Sequence, residues 1–285
     1  SAMQWANWIL PRVVVLCLCQ IMVNILLNVD RGGRFEWHTP GVLTLLAISA
    51  SLCPVLIKLN SWHRSLAMLL FAASPLMVGS YSGPEMVWFE RVDADSVNEW
   101  CSRLLWNGTY PIVPWIFYIL LGTILHDLKG EPRVRERGIF LGFVATSATV
   151  VLSVAEGIDW ALTSGKAILT FFPANMPFLV VSGTMVALCL RILEGEEETG
   201  GEPFLGDRLS ILEPVGRLSL TIYVAHFFVL GIVAMLLDGE PRLSLMTAFS
   251  LTIFHTLVWI PLAAIHERKI PQFSLEELLR SHSSE

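Results

Sequence analysis

The chain has 285 residues, 54% of them hydrophobic and 15% charged, with a net charge of −6 and a mean hydropathy of +0.60. Soluble domains carry about 25% charged residues, and a soluble core this apolar would leave too little polar surface to face water. Most acids sit in a few loops, which sets nucleic acid aside as a partner. Four of the five cysteines, Cys17, Cys19, Cys53 and Cys189, lie in apolar stretches, which sets aside a disulfide framework.

Ser1-Ala2-Met3 reads as a tag remnant ahead of a start methionine. Eight apolar stretches follow, at residues 8–27, 41–59, 66–81, 111–126, 138–155, 173–192, 218–237 and 243–265. Each approaches the roughly 20 residues that cross a hydrocarbon core, the third and fourth being the shortest. The runs are continuous rather than alternating, so helices are expected and a barrel is not. The expected fold is an all-α polytopic membrane helix bundle of about eight spans over residues 1–266, with a tail at 267–285. Thirteen Lys and Arg fall on the side of the N-terminus and six on the other. The excess makes the first side cytoplasmic, with both termini there. Which membrane is crossed stays open between a plasma membrane and an inner membrane.

Two outer connectors are long. Residues 82–110 are acidic and carry Trp88, Trp100 and Trp106; residues 156–172 carry Glu156, Asp159, Trp160 and Lys166. Both suit amphipathic elements resting at the interface, or ordinary loops anchored by tryptophan. On the cytoplasmic side, residues 194–216 are acidic and glycine-rich and read as a linker. In the tail, Ser274 is placed to cap a short helix, with Glu277 closing a capping box.

Polar residues inside the spans are the candidates for chemistry, because lipid excludes them unless they are paired or wetted. His226 and His255 fall near the middle of the seventh and eighth spans. Each can exchange protons near neutral pH, or stand as a neutral imidazole bonded to a neighbouring helix. Ser219, Tyr223 and His226 share one helix face and form a polar stripe running inward from Arg217; Thr221 lies off it. His126 ends the fourth span, where a cation also suits the helix dipole. His38 lies outside, before Pro40-Gly41, in a loop or at an acceptor site. Asn175, with Glu156 and Asp159, makes a polar group at an outer mouth, where a carboxylate could act as base or orient a sugar hydroxyl; helix capping is the other reading. Arg12 and Arg191 flank helices at the inner face, suited to headgroups or to a phosphate. No phosphate loop, zinc-spaced set or nucleophile elbow appears, and no metal is expected. Asn107-Gly108-Thr109 matches a glycosylation sequon, a pattern common by chance.

Three segments carry a resemblance. Asn107-Gly-Thr-Tyr-Pro-Ile-Val-Pro-Trp-Ile-Phe-Tyr-Ile-Leu-Leu-Gly122, Gly216-Arg-Leu-Ser-Leu-Thr-Ile-Tyr-Val-Ala-His226 and Pro40-Gly-Val-Leu resemble helices of the heparan-alpha-glucosaminide N-acetyltransferase-like transmembrane acyltransferases. The resemblance implies transfer of an acyl group, typically acetyl, from cytoplasmic acyl-CoA to a hydroxyl or amine on the far side. Set beside that scheme, His226 and Tyr223 of the polar stripe, with Glu156 and Asp159 of the outer mouth, are the candidates for the chemistry. Arg217, Arg191, Trp115 and His126 would face the acetyl-CoA co-substrate, and Asn175, His38 and Tyr110 the acceptor, a carbohydrate or glycolipid. Such families open with helices bearing an Arg-Gly motif and often a functional histidine. This chain opens on Trp5-Ala-Asn-Trp-Ile-Leu-Pro-Arg12, which resembles a later family helix, so about two N-terminal helices are expected to be missing. Two other classes stay open: a proton-coupled transporter built on the two mid-span histidines, and a non-catalytic membrane subunit. Membrane lipid is an expected partner, and a homodimer stays open.

Overall fold

The computed structural model describes residues 2–194, 209–237 and 243–281. Arg208, Arg242, His282 and most of the acidic, glycine-rich stretch lie outside them. In chain order the helices are α1 (Ala2–Leu26), α2 (Val42–Leu56), α3 (Ser61–Val78), α4 (Trp88–Val92), α5 (Val97–Ser102), α6 (Ile112–Asp127), α7 (Pro132–Glu156), α8 (Met176–Glu194), α9 (Glu213–Arg217), α10 (Ser219–Leu236), α11 (Leu245–Lys269) and α12 (Leu275–Ser281). The 157–175 connector holds one parallel pair of two-residue strands, β1 (Ala161–Leu162) and β2 (Leu169–Thr170), rather than an amphipathic helix.

Among the described residues, seven helices are long and apolar enough to cross a membrane: α1, α3, α6, α7, α8, α10 and α11. Their outward faces stay apolar, with Leu141, Phe143, Phe249 and Phe254 among the exposed side chains. In water such faces would be a liability; in a bilayer they meet acyl chains. The protein is an all-α, multi-pass integral membrane protein. The second apolar stretch departs from expectation, because α2 has only 15 residues, about 22 Å of helix against a core of about 30 Å. Asn60 explains the shortening. Its side chain accepts from the His63 amide at 2.9 Å and so caps α3. The cap turns residues 57–60 out of α2 and starts α3 at Ser61, five residues before the expected 66.

The chain forms two compact units. The unit Pro40–Glu194 contains α2 to α8. At one end Asp127 pairs with the buried Arg64 and accepts from Ser61 at 3.4 Å, while Arg191 reaches Glu136 at 3.5 Å. At the other end the Thr109 hydroxyl donates to the Pro40 carbonyl at 3.1 Å. Helix α2 starts at the second end and leads into Ser61 at the first, so it traverses the unit despite its length. The core joins Ala72, Phe117, Ala174 and Leu179. Gly183 lets α8 approach α6: a Cβ there would lie 2.8 Å from the Phe117 ring.

The 79–111 connector folds around Arg91, which is 1% exposed. Its guanidinium donates to the carbonyls of Asn107 (3.1 Å), Ser82 (3.4 Å) and Gly83. Burial, then repulsion from Arg103, lowers its pKa to about 10. The sequon is used structurally. Asn107 accepts from Arg103 at 3.0 Å and Thr109 is 1% exposed, so the pattern is part of a folded cap rather than an open acceptor.

The unit Ser1–Thr39 with Gly195–Glu285 contains α1 and α9 to α12. Helices α1 and α10 meet at Gly231, where a Cβ would lie 2.2 Å from the Leu26 carbonyl oxygen. Two amide side chains on α1 and a third just past its end stand at spacings of four. Gln20 donates to Asn24 (2.9 Å), and Asn24, 1% exposed, donates to the carbonyls of Thr39 (2.8 Å) and Trp37 (3.1 Å). Asn28 donates to the Phe35 carbonyl at 3.2 Å. These bonds fold residues 28–39 back along the helix and satisfy amides that would otherwise be orphaned in the apolar interior.

Candidate functional site

The mid-span histidines meet. His226 on α10 and His255 on α11 are half-buried, with ring centroids 6.1 Å apart. Trp259, one turn along α11, donates its indole N–H to His255 Nε2 at 3.4 Å. That bond uses a lone pair on Nε2, which leaves Nδ1 as the ring nitrogen that carries a proton. His226 Nδ1 lies 3.4 Å from the Ile222 carbonyl. A proton on Nδ1 satisfies that carbonyl and leaves Nε2 with its lone pair. Tyr223 (5.3 Å) and Phe227 (4.1 Å) pack against the His226 ring, and Phe35 stands 6.0 Å from Phe227. The face predicted from the spacing therefore forms at Tyr223 and His226, whereas Ser219 is exposed.

Below this cluster the start of α10 is held by carboxylates. Arg217 forks Glu267 through Nε (2.7 Å) and Nη2 (3.1 Å), and its Nη1 donates to Glu213 at 3.2 Å. Those bonds raise the Arg217 pKa above its usual value. Glu276 of the tail helix accepts from the amides of Leu220 (2.6 Å) and Thr221 (3.0 Å) and from the Thr221 hydroxyl (2.6 Å). Thr221 in turn accepts from the Leu275 amide at 2.9 Å. Two of the orphan amides of α10 are thus satisfied by a residue 55 positions away, and the negative charge suits the helix dipole. Ser274 does cap α12, accepting from the Glu277 amide at 3.1 Å; the Glu277 carboxylate accepts from Arg280 instead of closing a capping box. Changing Glu276 to alanine is expected to weaken tail docking by about 1–3 kcal/mol. Faster protease cleavage at residues 270–275 would show it; cleavage unchanged from wild type would contradict the tie.

In the other unit, Tyr110 and Trp115 come together with ring centroids 5.1 Å apart, in a cluster with Phe171, Phe172 and Phe178. Burial pushes the Tyr110 phenol up. The Trp115 indole N–H is buried without a hydrogen-bond partner among the described residues, and Tyr118 bonds Ser182 at 2.6 Å one turn below. An open groove of about 550 Å³ runs along Tyr110, Thr163, Phe171 and Phe178. Asn175 takes the capping role: it accepts from the Phe178 amide at 3.0 Å and donates to the Ile168 carbonyl at 2.9 Å. Glu156 and Asp159 are exposed. His126 is exposed beside Asp127, with 3.8 Å between them. In the unit Ser1–Thr39 with Gly195–Glu285, His38 is half-buried against Trp37, with ring centroids 5.3 Å apart. Arg12 lies over the Trp8 ring, 3.7 Å from its centroid.

Sequence reasoning missed Trp259, Glu267, Glu276 and the amides of α1. The α1 amides carried a readable signal, a spacing of four in an apolar run. The carboxylates did not, because their partners are some 50 residues away in sequence.

A multi-pass helical membrane protein with an imidazole pair between two spans is the class these features define. A family profile described as an acyltransferase domain matches residues 6–264. The protein belongs to that acyltransferase family. Searches of curated proteins and of solved structures return no match.

Proposed function

We propose that the protein moves an acyl group, acetyl in the first instance, from cytoplasmic acyl-CoA to a hydroxyl or amine of a sugar or glycolipid on the outer side of a plasma or inner membrane. The motif helices at residues 107–122 and 216–226 support a place near the heparan-alpha-glucosaminide N-acetyltransferase-like branch. The single observation that carries the chemistry is the His226 imidazole, with Nδ1 on the Ile222 carbonyl and Nε2 left as a base. In this step Nε2 takes the acceptor's proton while its oxygen or nitrogen bonds to the thioester carbonyl carbon. The C–S bond then breaks, and the departing CoA sulfur takes that proton back from the imidazolium. Tyr223, packed on the imidazole, is the donor we assign to the tetrahedral oxyanion. Glu156 and Asp159, exposed on or beside the outer connector, are assigned to acceptor hydroxyls. Arg217 and Arg191 already hold carboxylates and would bind a donor phosphate only by exchange.

The test is release of free CoA thiol from acetyl-CoA by the protein in lipid nanodiscs, against a panel of sugars and amino sugars. Acceptor-dependent release is expected. No release with acetyl-CoA or longer acyl-CoAs, together with proton-coupled solute uptake into liposomes, would overturn the reading in favour of transport.

A further inference from the structure

We propose that a pocket at the start of α7 recognises a phosphate group carried by an amphiphile. The pocket, about 300 Å³, is lined by Arg133, Glu136, Arg137 and Phe140. Arg133 and Arg137 are four residues apart and share one helix face, where like charges repel and destabilise the helix. Two other arginines at this end of the unit are neutralised, Arg64 by Asp127 and Arg191 by Glu136. Arg133 and Arg137 have neither an ion-pair nor a hydrogen-bond partner among the described residues. The carboxylate that could serve them, Glu136, is turned to Arg191 at 3.5 Å, which removes much of its repulsion for an incoming anion.

An anion bridging the pair would relieve that repulsion, and a phosphate can accept from both guanidinium forks. Phe140, one turn further along α7, is exposed. The arginines thus sit at headgroup depth and the ring at the edge of the hydrocarbon, a combination that suits a phosphate joined to an apolar chain or a ring. Two ligands share that chemistry: an anionic phospholipid, and the phosphate of an acyl-CoA. The site does not depend on the acyl-transfer reading, and its test does not measure turnover.

The experiment compares wild type with the Arg133→Ala/Arg137→Ala pair in detergent. One arm measures binding of CoA and of dephospho-CoA by calorimetry. The other measures co-purified phosphatidylglycerol against phosphatidylcholine by native mass spectrometry. We expect the paired change to weaken one arm about tenfold or more, as two charge-assisted contacts are lost. Loss confined to CoA assigns the site to the donor; loss confined to phosphatidylglycerol assigns it to lipid. If the alanine pair does not fold, Arg133→Gln/Arg137→Gln carries the same comparison. Unchanged binding in both arms would overturn the proposal. So would an equal loss from Arg268→Ala/Lys269→Ala, which removes two charges elsewhere.

Discussion

Replacing His226 with alanine is expected to lower acyl transfer by about 10²–10⁴-fold, the range for removing a positioned general base, while the protein stays folded. The side chain is half-buried, and its backbone contact to Ile222, at 3.4 Å, is long. Little stability therefore depends on it. The rate loss should appear in thiol release with acetyl-CoA at saturating acceptor. His226→Gln restores polarity and volume without a titratable nitrogen, so it should be as impaired as the alanine. Retention of activity within about threefold of wild type would remove His226 from the chemistry. A loss that glutamine rescues would instead mark a packing role.

Replacing Arg91 with methionine is expected to cause the largest loss of stability, about 3–5 kcal/mol. Methionine fills much of the volume but takes the guanidinium donors from the carbonyls of Ser82 and Asn107, and leaves Gly83 with only the Met86 amide, 3.1 Å away. A buried acceptor left bare costs about 1–3 kcal/mol. With a pKa of about 10 the guanidinium is still charged at neutral pH, so its donors are in place under ordinary conditions. The damage should localise to the 79–111 connector, seen as accelerated proteolysis there and a lower thermal midpoint in detergent. A midpoint unchanged from wild type would mean that water reaches those carbonyls.

The apolar runs were legible because a bilayer leaves few alternatives to helix, and Tyr223 with His226 was legible because spacings of three and four fix a shared face. What sequence could not give was whatever depends on a distant partner. Arg91 counted only as an outer positive charge; its burial is set by carbonyls 8, 9 and 16 residues away. Arg217 looked like a free cation until Glu213 and Glu267 closed on it. The pairing of His255 with His226 required knowing that α10 and α11 are neighbours. The short α2 was hidden for a local reason, since Asn60 stops an apolar run that hydropathy alone would extend.

The tie between Glu276 and α10 bears on the order in which the protein is made. The unit Pro40–Glu194 is one continuous stretch, so all its strands of contact are available once that stretch has left the ribosome. The other unit joins residues before 40 to residues after 194. Helix α1 must therefore wait in the membrane through the synthesis of α2 to α8 before Gly231 arrives to meet it. The amides that begin the His226 helix wait longer still, until the tail supplies Glu276. A nascent chain halted just after Lys269 would hold every span among the described residues and still lack the contact that finishes α10.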